Sequence, residues 1–232
     1  MEYGAVVEAV FRKRLNRFLS EVEICGQVEQ VHVKNTGRLR ELLIPGARVW
    51  LEPSANPERK TAFSLISVEK DSRIVNIDSQ VPNRIVYDAL LEGRILPGMT
   101  GICREYTYGN SRFDIYGEKG DQKFLIEVKG VTLNVDGEAR FPDAPTERGL
   151  KHVRELAEAA ASGYGACIIF AIQMKGIHLF RPNDVTMPAF GQALSDAAEK
   201  GVHILAYDCV VTPGSLRIDR QIPVALPKKS LL

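Results

Sequence analysis

The fold is decided at Phe124-Leu125-Ile126-Glu127-Val128-Lys129, taken together with Ser111-Arg112-Phe113-Asp114-Ile115 upstream. Side chains alternate along a strand, so Phe124, Ile126 and Val128 face one way and Leu125, Glu127 and Lys129 the other. A carboxylate and an ammonium therefore share a face. A hairpin about the 117–122 turn puts Asp114 opposite Leu125 and diagonal to Glu127, about 7–8 Å away between backbones. Two carboxylates at that separation can share one divalent cation, Mg²⁺ or Mn²⁺, through hard oxygen ligands. Such an ion polarises a phosphate and activates a water, while Lys129 orients that water or stabilises developing charge. Asp114, Glu127 and Lys129 are the candidate catalytic residues, and Asp114 and Glu127 the candidate metal ligands. The competing reading is a plain cross-face ion pair between Glu127 and Lys129. A second E-x-K string, Glu58-Arg59-Lys60, lies in a Pro-rich polar tract without apolar alternation and reads as a solvated loop.

Downstream, Leu150, Val153, Ala157 and Ala160 recur at helical spacing and predict a helix over about 146–162, closed by Gly163. Asp143 or Thr146 can cap it. Arg148 and Lys151 fall in its first turn, where positive charge opposes the helix dipole and suits a phosphate ligand. The apolar run Ala166 to Ile172 is a buried strand, Gly176 to Phe180 a shorter one, residues 188–200 a second helix and Val202 to Tyr207 another strand. Upstream, strands are expected at about 101–108 and 111–116. Asn83 is read as the cap of a short helix ending at Gly93. Alternating strands and helices mean α/β packing, and residues 82–232 are assigned to one α/β domain.

Residues 1–81 read as all-β. Strands are expected at 5–11, 18–24, 28–34, 48–52, 62–69 and 74–78, separated by Gly26, Asn35-Thr36-Gly37, Pro45-Gly46 and a Pro-rich tract at 53–57. So many short strands suggest a small OB-like barrel, with one helical turn over 36–43. Its basic runs, Arg12-Lys13-Arg14 with Arg17 and Lys34-Asn35-Thr36-Gly37-Arg38, are candidate nucleic-acid contacts. Phe11, Phe18 and Trp50 could stack on bases, although each also suits a core.

Composition narrows the classes. The chain has 232 residues, 45% apolar and 25% charged, with a formal net charge of +1. That excludes disorder and histone-like bulk electrostatics. Residues 1–80 carry 12 basic and 11 acidic residues, so any nucleic-acid contact rests on local clusters. The start has no basic segment ahead of an apolar run, and no apolar stretch is long enough to span a membrane. Four scattered cysteines without a C-x-x-C pair point to a reducing cytoplasm rather than a zinc ribbon.

The Asp114…Glu127-Val128-Lys129 phrase resembles the PD-(D/E)xK nuclease superfamily. Longer phrases resemble the sugar fermentation stimulation protein family: 32–39 with Pro45-Gly46, Val81-Pro82-Asn83, Tyr108-Gly109-Asn110-Ser111-Arg112-Phe113-Asp114, 127–133, and 141–152. Gly130 departs from the serine of that pattern. The resemblance implies an N-terminal OB-like barrel, a C-terminal PD-(D/E)xK nuclease-like α/β domain, DNA binding in preference to RNA, and a regulatory link to sugar metabolism. It assigns the acid pair to Asp114 and Glu127 and the lysine to Lys129, with Glu105 as a further candidate acid. The full candidate set for nucleic-acid contact is Arg12, Arg14, Lys34, Asn35, Arg38, Arg112, Arg148 and Lys151. Two functions follow as expectations: a Mg²⁺- or Mn²⁺-dependent nuclease, or a non-catalytic DNA-binding regulator that uses the nuclease fold as a platform.

Overall fold

The computed structural model describes residues 1–109 and 111–227. Asn110, part of one family phrase, lies outside the described residues. The N-terminal strands are β1 (Val7–Arg14), β2 (Leu19–Ile24), β3 (Gln27–Val33), β4 (Arg48–Pro53), β5 (Phe63–Lys70) and β6 (Arg73–Asn76). β1 pairs antiparallel with β2 and β4, β2 with β3 and β4 with β5, and β3 returns to β5 in parallel. Five strands thus close an OB-like barrel, and β6 extends it from β5. Closure leaves the barrel no free edge. The alternating inward residues Phe11, Val22, Val31, Val33, Val49, Leu51 and Leu65 are fully buried. A single helical turn follows β3, with the Leu43 N–H donating to the Leu39 carbonyl at 2.8 Å; Leu39, Leu42 and Leu43 bury their side chains against the barrel.

The C-terminal part runs α1 (Val81–Leu91), β7 (Thr100–Tyr108), β8 (Ser111–Lys119), β9 (Gln122–Val131), β10 (Leu133–Val135), β11 (Glu138–Phe141), α2 (Glu147–Ala161), β12 (Gly165–Ile172), β13 (Leu179–Pro182), α3 (Pro188–Glu199), β14 (His203–Thr212) and β15 (Ser215–Ile222). Its main sheet has the order β15-β14-β12-β9-β8-β7. β12 is parallel to both β9 and β14 and buried along its whole length, which its unbroken apolar run requires of a strand covered on both faces. α1 covers one face, where Ile85, Val86 and Ala89 belong to a core with Ile115, Ile126, Val128 and Ile169. On the other face Leu150, Val153 and Leu156 of α2 join Phe190 and Leu194 of α3, Leu125, Ile168 and Phe170.

The structure differs from the sequence expectations at several points. The β8–β9 ladder pairs Ile115 with Ile126, Tyr116 with Leu125 and Lys119 with Gln122. The hairpin therefore turns at the two residues Gly120-Asp121 rather than over the six residues 117–122, with Gly120 at φ +59. A two-residue slip keeps every side chain on its expected face, and it moves Asp114 from diagonal to opposite Glu127. Asn83 does not cap α1. The helix starts at Val81 with Gln80 at the N-cap, because Pro82 is preorganised for the first helical turn. β13 joins β10 and β11 in a separate three-stranded sheet rather than the main one. β10, β11 and β15 have no counterpart among the expected strands.

Barrel and α/β domain share a buried polar seam. The Gln173 amide nitrogen donates to Asn76 Oδ1 at 2.9 Å and to the Asp78 carbonyl at 3.1 Å. The Asn76 side chain donates to the Tyr3 hydroxyl at 2.9 Å, and that hydroxyl donates to Asp78 Oδ2 at 3.4 Å. The same apolar cluster runs from Phe11 and Leu51 in the barrel to Phe170 and Phe180.

Candidate metal centre and its surroundings

β9 brings Glu127 and Lys129 to the face of the sheet that α2 covers. Glu127 is 2% exposed. Its Oε1 accepts from the Lys129 ammonium and from His152 Nδ1 on α2. An ionised carboxylate only accepts, so Nδ1 carries the hydrogen. Burial pushes the Glu127 carboxyl up, but the bonds from His152 and Lys129 outweigh it and hold the group below the ordinary carboxylate range. Its other oxygen, Oε2, is buried with no hydrogen-bond partner among the described residues.

Asp114 sits where the β8–β9 ladder stops. Its Oδ2 accepts the Val128 N–H at 2.8 Å, and its Oδ1 accepts from Asn83 Nδ2 on α1 at 2.7 Å. Burial and the neighbouring Glu127 charge raise the Asp114 carboxyl above its usual range, against the pull of the Val128 N–H, Lys129 and Asn83. Two adjacent carboxylates, one strained upward and one with an orphaned oxygen, form a site short of positive charge. Among the described residues no three His, Cys, Asp or Glu side chains are grouped to hold a metal. A two-carboxylate donor set still fits Mg²⁺ or Mn²⁺, which complete their shells with water and substrate phosphate oxygens. Asp114 also opens onto a surface depression of about 520 Å³ lined by Gln80, Asn83, Arg84, Arg104 and Glu105.

Glu105 is exposed on β7 and pairs with Arg112 at 3.7 Å, so it lies at the rim of the acid pair rather than within it. Arg148 and Lys151 are exposed on α2, and Lys151 pairs with Glu155 at 3.5 Å. Thr146, not Asp143, is the N-cap, its side chain accepting from the Gly149 N–H. With Glu147 as the first helical residue, Arg148 lies in the first turn as expected, while Lys151 is the fifth residue and falls just beyond it.

The basic runs of the barrel are largely spoken for. Arg12 and Lys13 pair across the ladder with Glu23 and Glu21 of β2. Arg14 donates to the carbonyls of Asn16, Arg17, Asn35, Gly37 and Arg38, with each bond between 2.7 and 3.1 Å. It is the internal brace of the 35–38 turn and has no donor to spare for phosphate. Lys34 pairs with Glu52 at 3.0 Å and Asp78 at 3.4 Å. Asn35 donates to the Ile77 carbonyl and accepts the Gly37 N–H, so it shapes the turn. Arg38 remains exposed. Phe11 and Trp50 are buried, whereas Phe18 is 51% exposed.

Asn83 and His152 are site residues that the sequence reading misses. The signal for His152 is a polar residue in the buried stripe of an amphipathic helix, beside Gly149, Leu150 and Val153. Nothing local marks Asn83, whose partner is 31 residues away.

Comparison with known proteins agrees with this architecture. Residues 13–77 match the SfsA N-terminal OB domain, and residues 80–215 match the sugar fermentation stimulation protein RE domain. A sugar fermentation stimulation protein homolog of Ruminiclostridium cellulolyticum is 50% identical over 97% of this chain and 100% of its own length. A homolog of the same description from Desulfitobacterium hafniense is 51% identical over 97% and 99%. The structure of Pyrococcus furiosus SfsA in complex with Ca²⁺ superposes with a TM-score of 0.88 at 29% identity, covering 97% of this chain and 98% of that one.

Proposed function

The chain belongs to the sugar fermentation stimulation protein family, and from that premise we propose that it is a divalent-metal-dependent phosphodiesterase acting on nucleic acid, on DNA ahead of RNA. The observation that carries the reading is Glu127: a carboxylate held below its ordinary range at 2% exposure, with one oxygen fixed by two donors and the other unpartnered among the described residues. A buried polar oxygen left unmade costs about 1–3 kcal/mol, more when charged. A cation ligand is the natural partner. Asp114 and Glu127 would hold Mg²⁺ or Mn²⁺, in keeping with the Ca²⁺ complex of the Pyrococcus furiosus relative. When bound, such an ion supplies Lewis-acid polarisation of a phosphate and a lowered pKa for a water ligand.

The side chains do the rest. His152 fixes one Glu127 oxygen and leaves the other to face the site. Asn83 and the Val128 N–H each hold one Asp114 oxygen and so fix the orientation of the whole carboxylate. Lys129, anchored on Glu127, is the nearest cation to the acid pair and is positioned to stabilise charge developing on a phosphate. The four cysteines are unpaired, which supports a reducing, cytoplasmic setting; no helix among the described residues is long and apolar enough to cross a membrane.

The test is incubation of single- and double-stranded DNA and RNA with the purified protein and Mn²⁺ or Mg²⁺, beside Glu127→Gln. Cleavage by the parent that falls at least about 10²-fold in the variant supports the reading. Equal cleavage by both, or none with any metal, ends it. A binding-only reading is favoured by Phe18, an exposed aromatic on the OB-like barrel with Arg38 exposed as well. It expects Phe18→Ala with Arg38→Ala to abolish DNA retention while Glu127→Gln leaves it unchanged.

A further inference from the structure

Between the barrel and the α/β domain lies a second cavity, distinct from the depression beside Asp114. Its volume is about 370 Å³, within the range of small-ligand pockets. The barrel contributes Arg17, Asn35 and Thr36, and the α/β domain contributes Arg140, Thr146 and Gln173.

Three features give it ligand character. Gln173 is 1% exposed. Its amide nitrogen is consumed by Asn76 and Asp78, while no donor among the described residues reaches its Oε1. That oxygen lies over Gly130, 2.6 Å from where a Cβ would stand, so a larger residue at 130 would crowd it. It is an acceptor at the cavity wall, held in place by the bonds its amide nitrogen makes. Second, α2 begins here. Thr146 caps the Gly149 N–H, and the Glu147 and Arg148 N–H groups point out of the first turn without intrahelical partners. Third, the lining carries two guanidiniums, Arg17 and Arg140, against one carboxylate, Asp143; Arg140 also donates to Glu138 at 3.0 Å, and its Nε is buried without a partner among the described residues. Phe141, fixed against Phe170 and Phe190 at ring separations of 5.6 and 5.2 Å, adds an aromatic wall. Anion donors, sugar- and base-sized hydrogen-bonding groups and an aromatic surface together describe a nucleotide.

The position relative to the acid pair says which nucleotide. Ser79 and Gly130 line this cavity. Their chain neighbours Gln80 and Lys129 belong to the Asp114 depression and to the Glu127 ion pair. The two hollows are one residue apart at Ser79 and Gln80, and the cavity is one residue from the Glu127 ion pair at Gly130 and Lys129. We propose that the inter-domain cavity is a subsite for one nucleotide of the strand whose phosphodiester lies at Asp114 and Glu127, so that barrel and α/β domain grip the same strand. The proposal rests on the nucleic-acid reading above.

The test uses the full-length protein, a fluorescein-labelled hexathymidylate strand and Ca²⁺, with affinity read by anisotropy and Ca²⁺ binding read separately by calorimetry. Thr36→Trp fills the cavity from an exposed turn position, and Arg17→Ala removes one guanidinium whose side chain makes no protein bond among the described residues. The expected result is a loss of strand affinity of more than tenfold for Thr36→Trp and about five-fold for Arg17→Ala, with Ca²⁺ affinity unchanged within two-fold. Unchanged strand affinity in both variants overturns the subsite while leaving the metal-site reading intact. If the parent binds no strand in any metal, the nucleic-acid reading falls and the subsite falls with it. Circular dichroism and melting of Thr36→Trp guard against misfolding, and Arg17→Ala probes the same cavity independently from a surface position.

Discussion

At the residue scale, Asp114 and Glu127 answer differently to similar burial. Glu127 has two donors on one oxygen, and Asp114 has neutral ones and a like charge beside it. Replacing Asp114 by Asn removes that repulsion, and Asn83 can turn its amide to suit. Without metal, Asp114→Asn is expected to raise stability at neutral pH by about 0.5–1 kcal/mol, the usual gain when a functional charge is relieved. Urea midpoints measure it. With Ca²⁺ or Mn²⁺ the order inverts, because only the parent binds: at a hundred times its Kd a ligand adds about 2.7 kcal/mol. A variant whose melting rises with metal as much as the parent's would remove Asp114 from the site. Glu41 gives a pH signature. Burial, then the Asp143 charge, pushes its carboxyl up, and its Oε1 is buried without a partner among the described residues. The folded state therefore holds this proton more tightly than the unfolded chain, and the contribution is present below the unfolded pKa and lost as pH rises through the folded one. Glu41→Gln should match the parent near about pH 4 and exceed it at pH 7, by up to about 1 kcal/mol given its partial exposure.

At the element scale, the acid and lysine of β9 were legible because a two-residue period is a property of the strand itself. The exact register was not, because turn length is set by which residue takes φ > 0. Gly117 and Gly120 both offered that freedom, and Gly120 took it. The β10–β11 hairpin was legible in principle: Asp136-Gly137, at φ +52 and +84, is the dipeptide that a two-residue primed turn favours. The basic runs misled for a physical reason. Arg12 and Lys13 meet Glu23 and Glu21 only after the chain folds back on itself, and Arg14 bonds five carbonyls that lie apart in sequence. α2 carries a prediction of its own. Thr146 closes its N-terminus, and Thr146→Ala should cost about 1 kcal/mol, seen in urea unfolding. If the strand subsite is real, the same change also weakens hexathymidylate binding through loss of the fixed helix start. Thr146→Ser, which keeps the cap, should restore most of both.

At the scale of the whole molecule, the division into barrel and α/β domain is plain in topology and absent from the packing. One apolar cluster passes from Val22 and Leu51 to Phe170 and Ile222, and the Tyr3, Asn76, Asp78 and Gln173 seam ties the two parts with buried polar bonds. Breaking such a seam strands several buried polar groups at once, each at about 1–3 kcal/mol. Neither part should therefore melt alone. The chain supplies its own probes. Its single tryptophan, Trp50, lies in β4 of the barrel, while the α-helices among the described residues all lie beyond residue 80. Tryptophan fluorescence reports the barrel and helical circular dichroism reports the α/β domain. In urea the two signals should trace one coincident transition, the usual test of two-state behaviour. Gln173→Ala should move both midpoints together, by about 2–3 kcal/mol, since it leaves Asn76 and Asp78 short of a donor. Two separated transitions in the parent, or a Gln173→Ala shift confined to one probe, would show instead that the barrel is an independent module. A strand could not then be gripped by both parts as one rigid cleft.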